Sequence, residues 1–229
     1  THCLEEVATH TIAMILAMER QLVFFNDLVK EGKWLANAGF KPHRLSCQTL
    51  GFVGFGNIAR RTADFAKGFG FRMVAYDPYL DESIITASGA EKVELDELLA
   101  VSDVITIHTP LFESTYHLIN KDTIAKMKDG VMIVNTSRGP IISADDLMAA
   151  VKEGKVRAAA LDVVEHEPIS EPGHPLFETG KIICSPHAAY NSVEAEKQMM
   201  AVLAATAVDT LNGKNPDNIV NKKALGTGV

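Results

Sequence analysis

The stretch Thr49-Leu50-Gly51-Phe52-Val53-Gly54-Phe55-Gly56-Asn57-Ile58-Ala59-Arg60 limits what this chain can fold into more than any other. A short apolar run ends in closely spaced glycines and continues directly into helix-forming residues. That is the layout of a strand, a phosphate-binding turn and a helix N-terminus. Gly54 permits a tight turn, Gly56 lets backbone come close to a pyrophosphate, and Ala59 sits where the helix must pack closely on its strand. Free N–H groups at the helix end, from Asn57 and Ile58 onward, then face the anion.

Glycines also mark ordinary turns, so the surroundings decide. After Ala59 a helical stretch runs to about Gly68, and residues 71–76 form a second apolar strand that ends at Asp77. An acidic side chain about 20 residues past the glycines accepts hydrogen bonds from a ribose diol and repels a 2′-phosphate, which favours NAD over NADP. The alternative is Asp77 as a turn former ahead of Pro78.

The rest of the chain is read from its periodicity. Residues 5–30 read as one long helix, with Val7, Ile12, Ile15, Leu16, Leu22, Val23 and Leu28 on a broad apolar face. Such a helix lies either across its own domain or in a subunit interface. Residues 32–46, with Gly39 and Pro42, read as a linker. Past Asp77, residues 80–89 are irregular or weakly helical, 93–100 a short helix, 104–108 a buried strand stopped by Thr109-Pro110, 122–128 helical and 130–135 a buried strand. Residues 143–153 form a helix with Ser143 as N-cap and Asp145 and Asp146 in its first turn. A strand at 158–162, a Pro/Gly/acid-rich loop at 165–175, a strand at 182–184, a long helix at 192–211 and a polar tail at 212–229 complete the chain. Strands that are apolar throughout and alternate with helices imply an α/β fold, a doubly wound parallel sheet of the Rossmann type with helices on both faces. Residues 1–211 are expected to form the dinucleotide-binding domain.

Composition excludes several classes. With 229 residues, 47% of them hydrophobic, the chain can bury a substantial core. A net charge of −7 without a dense Lys/Arg block argues against nucleic acid as a partner. Cys3, Cys47 and Cys184 are odd in number, far apart and outside any metal-ligand spacing, which suggests a reduced, cytoplasmic setting and no metal site. The apolar run at residues 11–18 is too short to span a bilayer and is followed by Glu19-Arg20, so it reads as a buried helix and not a membrane anchor. A start at Thr1 immediately before a helix reads as a piece of a longer polypeptide.

In an open parallel sheet, ligands bind beyond the carboxyl ends of the strands. The residues found there are His108, Thr109 and Pro110; Thr136, Ser137 and Arg138; Asp162, Glu165, His166 and Glu167; and Pro186 with His187. A cation, carboxylates and histidines at the same edge as a dinucleotide are the equipment for proton-coupled hydride transfer. His187 can supply the proton, because an imidazole titrates near neutral pH. Glu167 can orient that ring, and Arg138 can grip a substrate carboxylate and polarise the adjacent carbonyl. Each has a plainer alternative: Arg138 as a loop-anchoring salt bridge, His187 as a structural histidine, Glu167 as a solvated acid. His108 is expected to line the cofactor cleft, and His166 and His174 to be solvated. Cys184 is not expected to act as a nucleophile.

Four ordered motifs, residues 50–59, Asn135-Thr136-Ser137-Arg138-Gly139, residues 161–168 and Ser185-Pro186-His187, together resemble the D-isomer-specific 2-hydroxyacid dehydrogenases. Residues 7–13 are similar to the opening helix of that family's cofactor domain. The resemblance implies that Arg138 binds and polarises the substrate, His187 is the acid/base and Glu167 its partner. It also implies that Asp162 and residues 136–138 hold the nicotinamide carboxamide, and that the chain forms a homodimer through its first helix. The substrate would be a small 2-oxo or 2-hydroxy acid and the cofactor NAD. Ala59 in place of the more usual third glycine is a tolerable departure, and Ala188-Ala189-Tyr190-Asn191 after His187 is similar to the branch that includes D-lactate dehydrogenase-like enzymes and the C-terminal-binding corepressors. A dinucleotide-sensing interaction module is therefore the alternative function. In the family a half-domain precedes the opening helix, and the tail at 212–229 is expected to run toward that absent substrate domain.

Overall fold

The apolar runs expected as strands become parallel strands: β1 (Thr49–Val53), β2 (Arg72–Tyr76), β4 (Val104–Ile107), β5 (Val131–Asn135), β6 (Val156–Leu161) and β7 (Ile182–Cys184), with a two-residue edge strand β3 (Glu91–Lys92). The sheet runs β3-β2-β1-β4-β5-β6-β7, and every neighbouring pair is parallel. The order reverses between β1 and β4, which opens a crevice beyond the strands' carboxyl ends. The helices are α1 (Leu4–Glu19), α2 (Leu22–Lys30), α3 (Asn57–Ala66), α4 (Glu82–Ala87), α5 (Leu95–Val101), α6 (Lys121–Lys126), α7 (Ala144–Glu153) and α8 (Val193–Leu211).

The computed structural model describes residues 3–214. Residues 4–190 make one compact unit that contains the whole sheet. Cys3 and residues 191–214 group in a second, whose element is α8, N-capped by Ser192. The tail expected from residue 212 lies, past residue 214, outside the described residues.

Successive strand residues point to opposite faces, and the two faces make two cores. Val131 and Ile133 of β5 join Leu98 and Leu99 of α5, Ile124 of α6 and Leu147 and Val151 of α7. Met132 and Val134 of the same strand join Ile12 and Ile15 of α1 and Ala59 and Ala63 of α3. Ala59, Ala63 and Ala66 are all buried, and small residues at these turns let α3 approach α1 and the sheet closely. Each side chain of Leu or Ile size fully buried here contributes about 1.5–3 kcal/mol.

The helix expected over residues 5–30 is broken. α1 stops at Glu19, and Gln21 takes a left-handed conformation (φ 51°, ψ 38°) before α2 begins. The cause is tertiary: the Gln21 amide donates to the Phe40 carbonyl (2.7 Å) and accepts from the Phe40 N–H (3.0 Å). α2 consequently leaves the core. It buries no residue, and Leu22 and Val23, expected on a core face, are exposed. The other expected elements are present with ends shifted by a few residues. Ser143 does cap α7, accepting from the Asp146 N–H.

Candidate active site

The loops that leave the carboxyl ends of the strands are bound to one another through backbone. His108 N–H donates to the Val53 carbonyl, Asp162 N–H to Asn135, Ser185 N–H to Leu161 and His187 N–H to Asp162, at 2.8–3.0 Å. The side chains follow the same stitching: Ser137 Oγ donates to the Thr109 carbonyl (2.5 Å), and Asn135 holds its own turn through the Ser137 N–H and the Arg138 carbonyl.

At the glycine turn Gly54 has φ +84°, and a Cβ there would lie 2.7 Å from the Thr109 backbone nitrogen. The β1 and β4 loops touch because this residue has no side chain. Gly56 is different. No protein atom lies within 4 Å of the place its Cβ would occupy, so its bareness answers to no internal packing. No side chain caps α3, whose first turn begins at Asn57 and Ile58. Uncapped N–H groups beside an open glycine fit a dinucleotide pyrophosphate. Asp77 is half-buried at the end of β2 and accepts from the Phe55 N–H (2.9 Å) and the Tyr79 N–H (3.0 Å). Turn former and acid beside the glycine turn are thus one residue.

His108 stacks on Phe52 and lies 3.0 Å from Thr106 Oγ1 through Nε2. Desolvation pushes its pKa down to about 3, so it lines the crevice as a neutral ring. Pro110 is exposed, and its carbonyl accepts from Thr115 Oγ1.

His187 sits in a left-handed turn (φ 53°) with its side chain about half exposed. Its Nδ1 is 2.8 Å from Glu167 Oε2, while Glu167 Oε1 accepts from the Val164 N–H. One ring nitrogen is therefore held by a carboxylate and Nε2 is left for a proton-transfer partner. Arg138 is exposed and donates to the Ser137 carbonyl (2.6 Å). Among the described residues no carboxylate lies within ion-pairing distance of its guanidinium, so it is not a loop-anchoring salt bridge.

Asp162 is 2% exposed. Oδ1 accepts from Ser185 Oγ and the Ala188 N–H, and Oδ2 from the Ala189 N–H. Its backbone carbonyl takes the His187 N–H, so this one residue shapes the turn that carries His187. A lone pair of Oδ2 remains for a further donor. Thr136 is buried and meets Thr11 Oγ1 at 2.8 Å.

His174 corrects the reading of a solvated loop. It is half-buried, and its Nδ1 accepts from the Leu176 N–H to cap a short turn. His166 is exposed. Desolvation and the nearby Asp162 push the Cys184 thiol up to about 12, which leaves it protonated and inert. A cavity of about 950 Å³ lined by Phe24, Phe40, Arg157 and Lys181 opens near the amino ends of β6 and β7, at the opposite edge from these residues.

Two features escaped the motif reading. His117 pairs with Glu165 (2.5 Å), whose other oxygen accepts from the Ala144 N–H at the start of α7. Burial opposes that carboxylate's charge, but the Ala144 and His117 hydrogen bonds hold it below its usual range. His10, on α1, meets Ser185 Oγ at 2.8 Å across 175 residues of sequence. Only the fold brings either pair together.

Comparison with known proteins shows the family. The family described as D-isomer specific 2-hydroxyacid dehydrogenase, NAD binding domain, matches residues 12–189. A hydroxypyruvate reductase of Blautia hydrogenotrophica is 38% identical over 97% of this chain and 70% of its own length. A glyoxylate reductase of Thermofilum pendens is 35% identical over 96% of this chain and 66% of its own. The crystal structure of D-lactate dehydrogenase from Aquifex aeolicus complexed with NAD and lactic acid superposes with a TM-score of 0.85 at 31% identity, over 93% of this chain and 68% of that one.

Proposed function

Because this chain belongs to the D-isomer-specific 2-hydroxyacid dehydrogenase family and carries its NAD-binding domain, we propose that it serves an NAD-dependent oxidoreductase interconverting a D-2-hydroxy acid and its 2-oxo acid. The observation that carries the reading is the His187–Glu167 pair (2.8 Å) at the strand-end edge that also holds the open glycine turn. The alternative, a dinucleotide-sensing interaction module, is not favoured: the relatives named above are reductases and dehydrogenases.

NAD, when bound, supplies the hydride chemistry. The residues that hold it are Gly54, Gly56, Asn57 and Ile58 at the pyrophosphate, Asp77 at the ribose, His108, Thr109 and Pro110 along the crevice, and Thr136, Ser137, Arg138 and Asp162 with His187 at the nicotinamide end. In reduction, Arg138 grips the substrate carboxylate through its planar fork and polarises the 2-oxo group. His187 delivers a proton from Nε2 to the carbonyl oxygen while Glu167 fixes Nδ1 and the ring's orientation. In oxidation the same nitrogen takes the hydroxyl proton.

Residues 1–211 act as the cofactor domain of an enzyme that also has a substrate domain. The chain spans 70% and 66% of the two curated relatives' lengths, and closure of a second domain over the crevice is what excludes water. The protein works as a cytoplasmic homodimer. Trp34, Leu22, Val29 and Leu35 are exposed around α2, an apolar surface that suits a second copy. Among the described residues no helix is long and apolar enough to cross a membrane.

The test is NADH oxidation by the full-length protein against a panel of 2-oxo acids, with a His187→Ala variant alongside. Turnover that falls by about 10²–10⁴ in the variant while NADH affinity survives is expected. Absence of turnover on every acid by a protein that binds NADH would sink the dehydrogenase reading.

A further inference from the structure

Helix α1 lies outside the motifs that define the site, yet two adjacent residues of its second turn reach into the strand-end loops. Thr11 Oγ1 meets Thr136 Oγ1 at 2.8 Å, next to Ser137 and Arg138. His10 Nε2 meets Ser185 Oγ at 2.8 Å and stands 3.6 Å from Asp162 Oδ1.

The direction of the His10 contact follows from counting protons. Ser185 has a single hydroxyl hydrogen, and it is committed to Asp162 Oδ1 at 2.5 Å. Ser185 Oγ can then only accept from His10, so the imidazole carries its hydrogen on Nε2. The chain His10 Nε2–H to Ser185 O–H to Asp162 ends on the carboxylate that gathers the Ala188 and Ala189 N–H groups, in the residue whose carbonyl holds the His187 N–H. His187 occupies a left-handed conformation (φ 53°) that a residue with a side chain adopts only when its surroundings impose it.

We infer that His10 is a positioning residue for proton transfer: through Ser185 and Asp162 it holds the turn that aims His187. This rests on the dehydrogenase reading for its kinetic consequence, but its structural consequence does not. Removing the donor leaves Ser185 free to rotate away from Asp162 and loosens the turn. A hydrogen bond of about 1.4 kcal/mol corresponds to about tenfold in rate, and loss of aim at the reacting group costs turnover more than binding.

The experiment uses the full-length protein with His10→Phe, which keeps a ring without a donor, His10→Gln, which keeps an N–H donor, Ser185→Ala, and the His10→Phe/Ser185→Ala double variant. Two readouts are taken: imidazole ¹⁵N–¹H correlations, and kcat and KM for NADH and for a 2-oxo acid such as glyoxylate. Wild-type His10 is expected to show the hydrogen on Nε2. The His187 resonances should move in His10→Phe and return in His10→Gln. kcat should fall about tenfold in His10→Phe with KM for NADH within about twofold, be largely rescued by Gln, and fall no further in the double variant than in Ser185→Ala. Unmoved His187 resonances in His10→Phe overturn the inference whether or not the protein turns over. So does a kcat loss in the double variant equal to the product of the single losses. A wild-type protein that turns over no acid, with the resonance shifts present, sinks the proposed reaction and leaves His10 as the residue that sets the turn.

Discussion

The neutral His108 ties the crevice to the pH dependence of folding. Its ring is half-buried beside Phe52 and Thr106, and desolvation lowers its pKa from 6.5 to about 3. In the unfolded chain the ring takes up a proton as pH falls through 6.5; in the folded chain it does not until pH nears 3. Folding stability is therefore intact above 6.5 and is lost progressively between 6.5 and 3. At ~1.4 kcal/mol per pH unit, the loss from this one residue is about 2 kcal/mol at pH 5 relative to pH 7.5. His108→Gln keeps a polar partner for Thr106 and does not titrate, so its unfolding free energy lacks this component. Urea unfolding of both proteins at pH 7.5 and 5.0 cancels the contributions of every other group. The wild type should lose about 2 kcal/mol more than the variant, roughly 1 M in midpoint at a typical slope of about 2 kcal/mol/M. Equal losses would refute the reasoning and mean that His108 accepts a proton while folded, which would make it a second acid in the crevice.

Other outcomes follow from single contacts. A Cβ at Gly139 would lie 1.8 Å from the Val164 carbonyl oxygen, so Gly139→Ala should force the Arg138 and Glu167 loops apart, destabilise by about 1–3 kcal/mol in urea and lower kcat/KM. Glu19 is buried with Oε1 unpartnered, and desolvation raises its pKa. The cost of its charge is present above its folded pKa and vanishes as it protonates, so Glu19→Gln should raise Tm at neutral pH by an amount that shrinks in acid. On the proposed reading, in which Asp77 faces the ribose, Asp77→Asn removes that charge and should narrow the preference for NADH over NADPH by about tenfold, about 1.4 kcal/mol, in KM or Kd measurements.

How much of this was legible in the sequence depended on the range of the forces involved. Buried parallel strands must be apolar on both faces, so β1, β4, β5 and β7 announce themselves as unbroken runs. The glycine turn and the residues just after each strand could be read for the same reason, because topology fixes where strand ends lie. β3 was missed because two residues, Glu91 and Lys92, carry no apolar signal. The break at Gln21 was missed because local periodicity continues through it; its cause is the Phe40 backbone, 19 residues further on. His174 looked solvated because a cap on a three-residue turn leaves no pattern. His10 was visible only as part of a helix, since its partner is 175 residues away.

The strand-end stitching separates two inheritances. The backbone of Asp162, Ser185 and His187 is joined to its neighbours by main-chain N–H and carbonyl groups, which every residue but proline supplies. The side chains of Leu111, Phe112, Tyr116 and Tyr190 beside these loops are exposed and take no part in that stitching. On the proposed reading, the crevice's rim can thus be redrawn to exchange one acid for another without disturbing the backbone that carries His187.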